Sequence, residues 1–373
     1  MFPLSGKTGI VDWRADAEAA QGYVDYRRCD LMSMLGSSRF SMMSTGLPTI
    51  VDDNELMLPL TAPAPDPFGG DIVVVGTSNR TASKNIILAV NAGLLLKERD
   101  PTPDEFVVAV APCHEYVQSV HWVENNALLA VHNSTATVFG IDNRYCINGH
   151  YSLTWPHTDE IRDVSFSSMY RGVFAAGGFD NILSLNDLDS GTACTCEAVR
   201  CDGVISSVRW HPSDAHCLCA TLDDGRFLQF DTRTGMQVPV LVLDTQTLAL
   251  NCHALYCVTN ILFGYGDGSI VQYDARTGKC VDAVKDPFVS EIGDIKFGRG
   301  DREFVVCGES GSSLWFRTNS TAQLWSHTRS ARNRPSGTRD SCASSAVFWG
   351  VRDTALQTDD TGIIGVHRFR PIL

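Results

Sequence analysis

Apolar and polar residues alternate in short runs along most of this chain, and clusters of Gly, Asp, Asn and Ser separate one run from the next. A period of two residues marks a strand with one buried face, so the pattern predicts an all-β protein built from hairpins. Reading back from "FDTRTG" (Phe230–Gly235), "VISSVRWHPSDAHCLCATLDDGRFLQF" gives an alternating strand over Val204–Trp210, a polar turn, a strand Cys217–Thr221, a tight "DDG" turn and a strand Arg226–Asp231. "YDARTG" (Tyr273–Gly278) ends a second unit of the same order, with a "GDG" turn at Gly266–Gly268. The same grammar recurs in "VQSVHWVENNALLAVHNSTATVFGIDN", in "EIRDVSFSSMYRGVFAAGGFDNILSLNDLDSG" and more loosely in two later stretches. The central turns fall at Asn133, Asp180, Asp224, Asp267, Ser310 and Asp360, between 43 and 50 residues apart. A period of that length implies one supersecondary unit per repeat.

A small antiparallel sheet cannot bury both of its faces alone, so the units must stack, and a ring of blades about a central channel solves the edge problem. The prediction is a seven-bladed β-propeller of four-stranded antiparallel blades, with the fourth strand after each "RTG"-type turn. Residues 1–21 form an N-terminal extension in which "DWRADAEAAQG" reads as a short helix. The first blade is placed at 22–114, interrupted by long inserts at 41–70 and 77–104; its opening strand pair is "GYVDYRRCDLMSMLGSSRF", its third strand "GGDIVVVGTSN" and its fourth "DEFVVAVAP". "TAPAPDPFGG" is too rich in Pro and Gly for a regular element. Further blades are expected at 115–155, 156–201, 202–246, 247–288 and 289–330, and a closing blade at 331–373.

His157 in "HTDEIRDVSF", the turn aspartates Asp180, Asp224 and Asp267, and the strand-ending Asp142, Asp187, Asp231 and Asp274 resemble the WD-repeat family over residues 115–370. The Trp-Asp dipeptide of that family is nowhere intact. The resemblance implies that His157 braces its blade, that Asp180, Asp224 and Asp267 bond within theirs, and that the terminal "IIGVHRFRPIL" lies beside the N-terminal blade. Within the family, "VDYRRCDLMSMLGSSRF", "SVHWVENNALLAVHNSTATVFGID" and "SSVRWHPSDAHCLCATLDDG" are similar in order and spacing to methylosome WD-repeat subunits. That similarity implies an acidic scaffold that binds an arginine methyltransferase and helps present Arg-rich substrates such as histone tails and Sm proteins. Those subunits carry a docking loop with a tryptophan; here no Trp stands between Arg14 and His121, and Phe40 or Phe68 are the aromatic substitutes. Another adaptor role, as a ubiquitin-ligase substrate receptor or a trafficking or nuclear-pore subunit, fits the same repeats.

Composition narrows the classes further. The net charge of −13 argues against direct nucleic-acid binding, which needs clustered Lys and Arg, and leaves basic protein partners open. No apolar run approaches the ~18 residues of a membrane span, and "MFPLSGKTGIVDW" lacks the pattern of a secretory leader. Thirteen cysteines, many within apolar strands, suit reduced buried thiols in a cytoplasmic or nuclear protein. The sequons at Asn79, Asn133 and Asn319 then carry no meaning.

Enzymatic motifs are missing. "SGKTG" at Ser5–Gly9 has Met1 where a phosphate loop needs its first glycine. "CTCEAVRC" and "HPSDAHCLC" gather metal-ligand types, but C-x-C is not the C-x₂-C of zinc modules, and Cys217 and Cys219 fall on one strand face and read as core. No G-x-S-x-G or H-E-x-x-H occurs. The expectation is a protein without catalytic centre, metal or cofactor.

Two candidate surfaces remain. Loops between blades and the central turns open on one propeller face, and they carry Glu115, Asp159, Glu160, Asp202, Asp223, Glu291, Glu309, Asp359 and Asp360, a set suited to Arg- or Lys-rich peptides. The insert 41–70 and its leading edge offer Phe40, Met42, Met43, Leu56, Leu60 and Phe68, an apolar loop for partner docking or for packing on the propeller wall.

Overall fold

A computed structural model describes residues 23–38, 60–67, 69–79, 85–97, 99–113, 115–124, 127–142, 144–245, 249–256, 260–285, 291–298, 303–308, 311–316, 327–328, 344–349, 354–360 and 362–369. Among them the strands form four-stranded antiparallel sheets packed side by side as a β-propeller. Six sheets are contiguous in the chain. From inner to outer strand, blade I comprises Ala64–Pro65, Ile72–Gly76, Asn85–Asn91 and Val107–Cys113, and blade II Ser119–Glu124, Ala127–His132, Thr135–Ile141 and Ile147–Ser152. Blade III comprises Ile161–Phe166, Val173–Gly178, Ile182–Asp187 and Thr195–Arg200, and blade IV Ile205–Trp210, Cys217–Leu222, Arg226–Asp231 and Leu241–Asp244. Blade V holds Leu250–Tyr256, Asn260–Tyr265, Ser269–Asp274 and Lys279–Lys285, and blade VI Ile292–Phe297, Glu303–Gly308, Gly311–Phe316 and His327–Thr328.

The sheet that completes the ring is composite. Ser344–Phe348, Thr354–Asp359 and Ile363–Phe369 come from the C-terminal end, and the outer strand, Tyr23–Asp30, from the N-terminal end. Pairing runs from Tyr23 opposite Phe369 to Asp30 opposite Ile363. The outer strand covers backbone groups of Ile363–Phe369 that would otherwise form an open edge, and it ties the two ends of the chain together.

The expected seven-bladed ring of sequential blades with an interrupted first blade is thereby corrected. Six blades are sequential, and 22–114 is not one of them. Tyr23–Asp30 pairs with Ile363–Phe369, and in place of the expected second strand Leu31–Ser37 is a helix, capped by the Asp30 carboxylate, which accepts from Ser33 N at 3.0 Å. The supposed insert 77–104 contains the seven-residue strand Asn85–Asn91, and the Pro-rich stretch supplies Ala64–Pro65, the short inner strand of blade I.

Packing explains the strand patterns. In blade I the middle strands are buried except at the terminal Asn91, with Val73, Val74, Val75, Ile87, Leu88, Ala89 and Val90 fully enclosed. Both faces of a middle strand meet neighbouring blades, so its sequence is continuously apolar. The outer strand Thr195–Arg200 has one solvated face and alternates. One seam joins the closing sheet to blade I through Val73, Leu88, Leu356, Ile364 and the helix residues Leu31 and Leu35; others join blades I and II, II and III, III and IV, IV and V, and V and VI. Burying a Leu or Phe side chain in such a seam stabilises by about 1.5–3 kcal/mol, which makes the blade interfaces the main store of stability. Among the described residues no helix is long and apolar enough to cross a membrane.

Candidate functional site

Backbone bonds lace the loops that enter each blade to the hairpin turns between second and third strands. Ile161 N donates to Asn133 O at 2.8 Å, Phe179 N to Glu160 O at 2.9 Å, Asp223 N to Val204 O at 3.0 Å and Ala249 N to Asp223 O at 2.9 Å. These segments therefore share one rim of the propeller. Glu115, Asp159, Asp202 and Asp223 are exposed there, with Asp202 side-chain exposure reaching 92%. Glu160, Glu291 and Asp360 are half-buried. Thr135 Oγ1 donates to Glu115 Oε2 at 3.2 Å, Gln118 Nε2 to Glu160 Oε1 at 3.2 Å and Asn251 Nδ2 to Glu291 Oε1 at 3.5 Å.

Asp359 differs from the rest of that set. It is 1% exposed, and its Oδ1 accepts from Ile363 N at 3.0 Å, so its carboxylate shapes the turn and is not available to a partner. Glu309 and the apolar-loop candidates Phe40, Met42, Met43, Leu56 and Phe68 lie outside the described residues. Leu60, next to that loop, is buried in the seam between the closing sheet and blade I.

The turn aspartates hold backbone. Asp180 Oδ1 accepts from Ile182 N at 3.0 Å, Asp224 Oδ1 from Arg226 N at 3.1 Å and Asp267 Oδ1 from Ser269 N at 2.9 Å. Each side chain mimics a backbone turn acceptor two residues ahead. Asp180 alone of the three also meets a histidine: His157 Nδ1 is 3.0 Å from Asp180 Oδ2, and His157 Nε2 is 2.8 Å from Ser184 Oγ, which accepts from Asn186 Nδ2 at 2.9 Å. Burial works against the charge on Asp180, but bonds from His157 and from Ile182 and Thr158 N–H outweigh it and hold the carboxyl below its usual range. Burial likewise opposes the charge on Asp224, and the Arg226 guanidinium overcomes it.

Indoles tie neighbouring blades. Trp122 Nε1 donates to Ala64 O at 2.9 Å and Trp210 Nε1 to Ser165 O at 3.1 Å, each reaching the inner strand of the preceding blade. Cys217 and Cys219 share the seam between blades IV and V, their sulfurs 3.9 Å apart. Cys194 and Cys201 fall in different seams, and Cys196 is exposed. Among the described residues no group of three or more His, Cys, Asp or Glu is placed to hold a metal ion.

A second polar constellation lies on the inner strands. Arg209 of blade IV bonds Asp163 of blade III through Nη1, and its Nη2 donates to Asp294 of blade VI at 2.8 Å. Lys296 Nζ lies 3.1 Å from the other Asp294 oxygen. Asp163 also accepts from Ser207 Oγ at 2.9 Å and Val208 N at 2.8 Å. The four charged groups balance. Burial opposes ionisation of Asp294, yet Lys296 and Arg209 together hold its carboxyl below the usual range. His121 of blade II faces the same cluster; burial first, then the Lys296 and Arg209 charges, depress its imidazole to about 3. Sequence reasoning missed this cluster because its members come from four blades, and no spacing along the chain announces a meeting across a ring.

No protein-family model matches the chain, and no curated protein matches it.

Proposed function

We propose that this propeller is a non-catalytic interaction scaffold whose acidic rim receives a basic protein segment. The observation that carries the reading is the set of exposed rim carboxylates Glu115, Asp159, Asp202 and Asp223, set against a channel cluster whose charges cancel. Each carboxylate of that cluster is bound to a cation, which leaves none poised as a general base and favours a bracing role. Arg226 Nη1 lies 3.9 Å from Asp202 Oδ2 and offsets that one carboxylate in part; the exposed carboxylates together project a field toward approaching Arg and Lys side chains and form charge-assisted bonds on contact.

In its most specific form the proposal is a WD-repeat subunit that binds an arginine methyltransferase and helps present Arg-rich substrates such as histone tails and Sm proteins. Its support is the ordered sequence resemblance together with the His157–Asp180 contact at the blade III turn. Affinity capture from cell extract, using the wild-type chain and a triple charge reversal at Asp159, Asp202 and Asp223, tests it. Recovery of an arginine methyltransferase by the wild type is expected, with substrate proteins lost from the triple variant. Recovery of a cullin adaptor or of coat proteins in its place overturns the specific form.

A further inference from the structure

Phe179 stands at the apex of the blade III turn and is 42% exposed, an unusual position for a large aromatic ring. The ring is not bare: the guanidinium carbon of Arg162 lies over it, 5.3 Å from the centroid. Arg162 is itself exposed, near the start of the inner strand of the same blade. Phe179 N donates to Glu160 O, which follows the exposed Asp159, and Cys201 N donates to Asn181 O at 2.7 Å, which brings the exposed Asp202 to the other side of the turn. An aromatic face with carboxylates on both flanks suits a guanidinium, whose flat cation stacks on the ring while its edge donors reach the acids. A lysine ammonium makes the weaker stack and has no planar edge to present.

Two further observations come from the same turn and its neighbour. Gln118 Oε1 and Asn181 Oδ1 are shut off from solvent and have no hydrogen-bond donor. Gln118 is bonded to Glu160 through its amide nitrogen, and Asn181 sits two residues after Phe179 with φ +61°. Buried acceptors left without donors are rare in folded proteins; these two lie beneath the surface, out of a docked ligand's reach unless the turn rearranges.

We infer that Phe179, flanked by Asp159, Glu160 and Asp202, is an arginine-docking platform on the rim, and that Arg162 occupies it in the unbound chain as an internal stand-in for a partner's guanidinium. The inference rests on the rim reading above and sharpens it: the partner presents arginine, and lysine does not substitute fully. Arg162 must leave the ring before the partner's arginine stacks, so the stand-in lowers affinity and keeps the exposed ring covered.

The test is binding of a fluorescent peptide of alternating glycine and arginine, and of its lysine counterpart, to the full chain by anisotropy at low salt. Arg162→Ala is expected to tighten arginine-peptide binding about two- to five-fold, the scale of one exposed cation–π contact. Phe179→Leu is expected to weaken it by a similar factor and to erase the preference for arginine over lysine, and Phe179→Trp to restore both. If Arg162→Ala and Phe179→Leu bind as the wild type does while a double Asp159→Asn, Asp202→Asn variant binds more weakly, the platform is overturned and the acidic rim stands. If the wild type binds neither peptide, both fall.

Discussion

Acid should loosen this propeller through His121 well before its carboxylates protonate. The imidazole sits on the inner strand of blade II with Nε2 2.9 Å from Ser119 Oγ and the ring of Phe166 5.8 Å away, facing Arg209 and Lys296. Its folded-state value of about 3 lies far below the 6.5 of an unstrained histidine. Between those values the unfolded chain binds a proton that the folded chain does not. Stability is therefore complete above about pH 6.5 and falls as the pH drops toward 3. At pH 5 the linkage amounts to about 2 kcal/mol for this one group, trimmed toward about 1 by channel water. His132 and His253 are depressed in the same direction, chiefly by burial, so the wild-type loss exceeds the His121 share. The share is isolated by His121→Gln, which retains a hydrogen-bonding group toward Ser119 and does not titrate. Urea unfolding at pH 7 and pH 5 is the assay. The wild type should lose about 1–2 kcal/mol more than the variant over that interval, at an unchanged m-value. Equal losses in the two proteins would refute the placement of a neutral imidazole against the two cations.

Arg209→Met should destabilise by about 2–4 kcal/mol, since Asp163 and Asp294 lose a shared counter-ion in a partly solvated channel, and adding Asp163→Asn should return part of it; denaturant midpoints decide, and a cost under about 1 kcal/mol would contradict the clamp. Asp180→Ala should cost about 2–3 kcal/mol because it strips His157 of its partner as well as releasing the turn, whereas Asp267→Ala, which loses only Ser269, should cost about 1; equal costs would argue against the brace. Gly235→Ala should cost about 1–2 kcal/mol, almost all of it backbone strain at φ +87°, since a Cβ there meets nothing closer than Glu197 Oε1 at 3.4 Å; thermal unfolding at the wild-type midpoint would refute this.

The period of the fold was legible because each turn demands particular residues. In "FDTRTG", Phe230 is buried in the seam between blades III and IV, Asp231 Oδ1 accepts from Arg233 N at 3.0 Å, Thr234 N donates to Asp231 O at 3.1 Å, and Gly235 takes the left-handed backbone. "YDARTG" repeats this with Arg276 N on Asp274 Oδ1 at 2.8 Å and Gly278 at φ +63°. Local chemistry of that kind survives in sequence. Pairing at a distance does not: Tyr23–Asp30 pairs with Ile363–Phe369 at the other end of the chain, a closure that the family resemblance implied for "IIGVHRFRPIL" but that nothing in the spacing of Tyr23–Asp30 itself marks. Asn85–Asn91 escaped for a different reason. Both of its faces are covered, so it lacks the alternation by which strands are recognised. Asp359 looked like its rim neighbours because a turn carboxylate that caps backbone and one that faces solvent have the same spelling.

The two polar constellations divide the labour of this ring. Arg209 reaches Asp163 and Asp294 across sequence separations of 46 and 85 residues, joining blades III, IV and VI, and its charges close among themselves. A neutral, mutually bonded cluster projects little field, so it stiffens the inner wall without drawing ligands into the channel. The acidic excess of a chain with net charge −13 must then be expressed elsewhere, and the described rim carries part of it on exposed loops. On the proposed reading, inner strands braced in this way hold those loops at fixed spacing, so that separate carboxylates act together on one extended basic segment. The same rigidity confines any adjustment on binding to side chains, and at the blade III turn the side chain with somewhere else to go is Arg162.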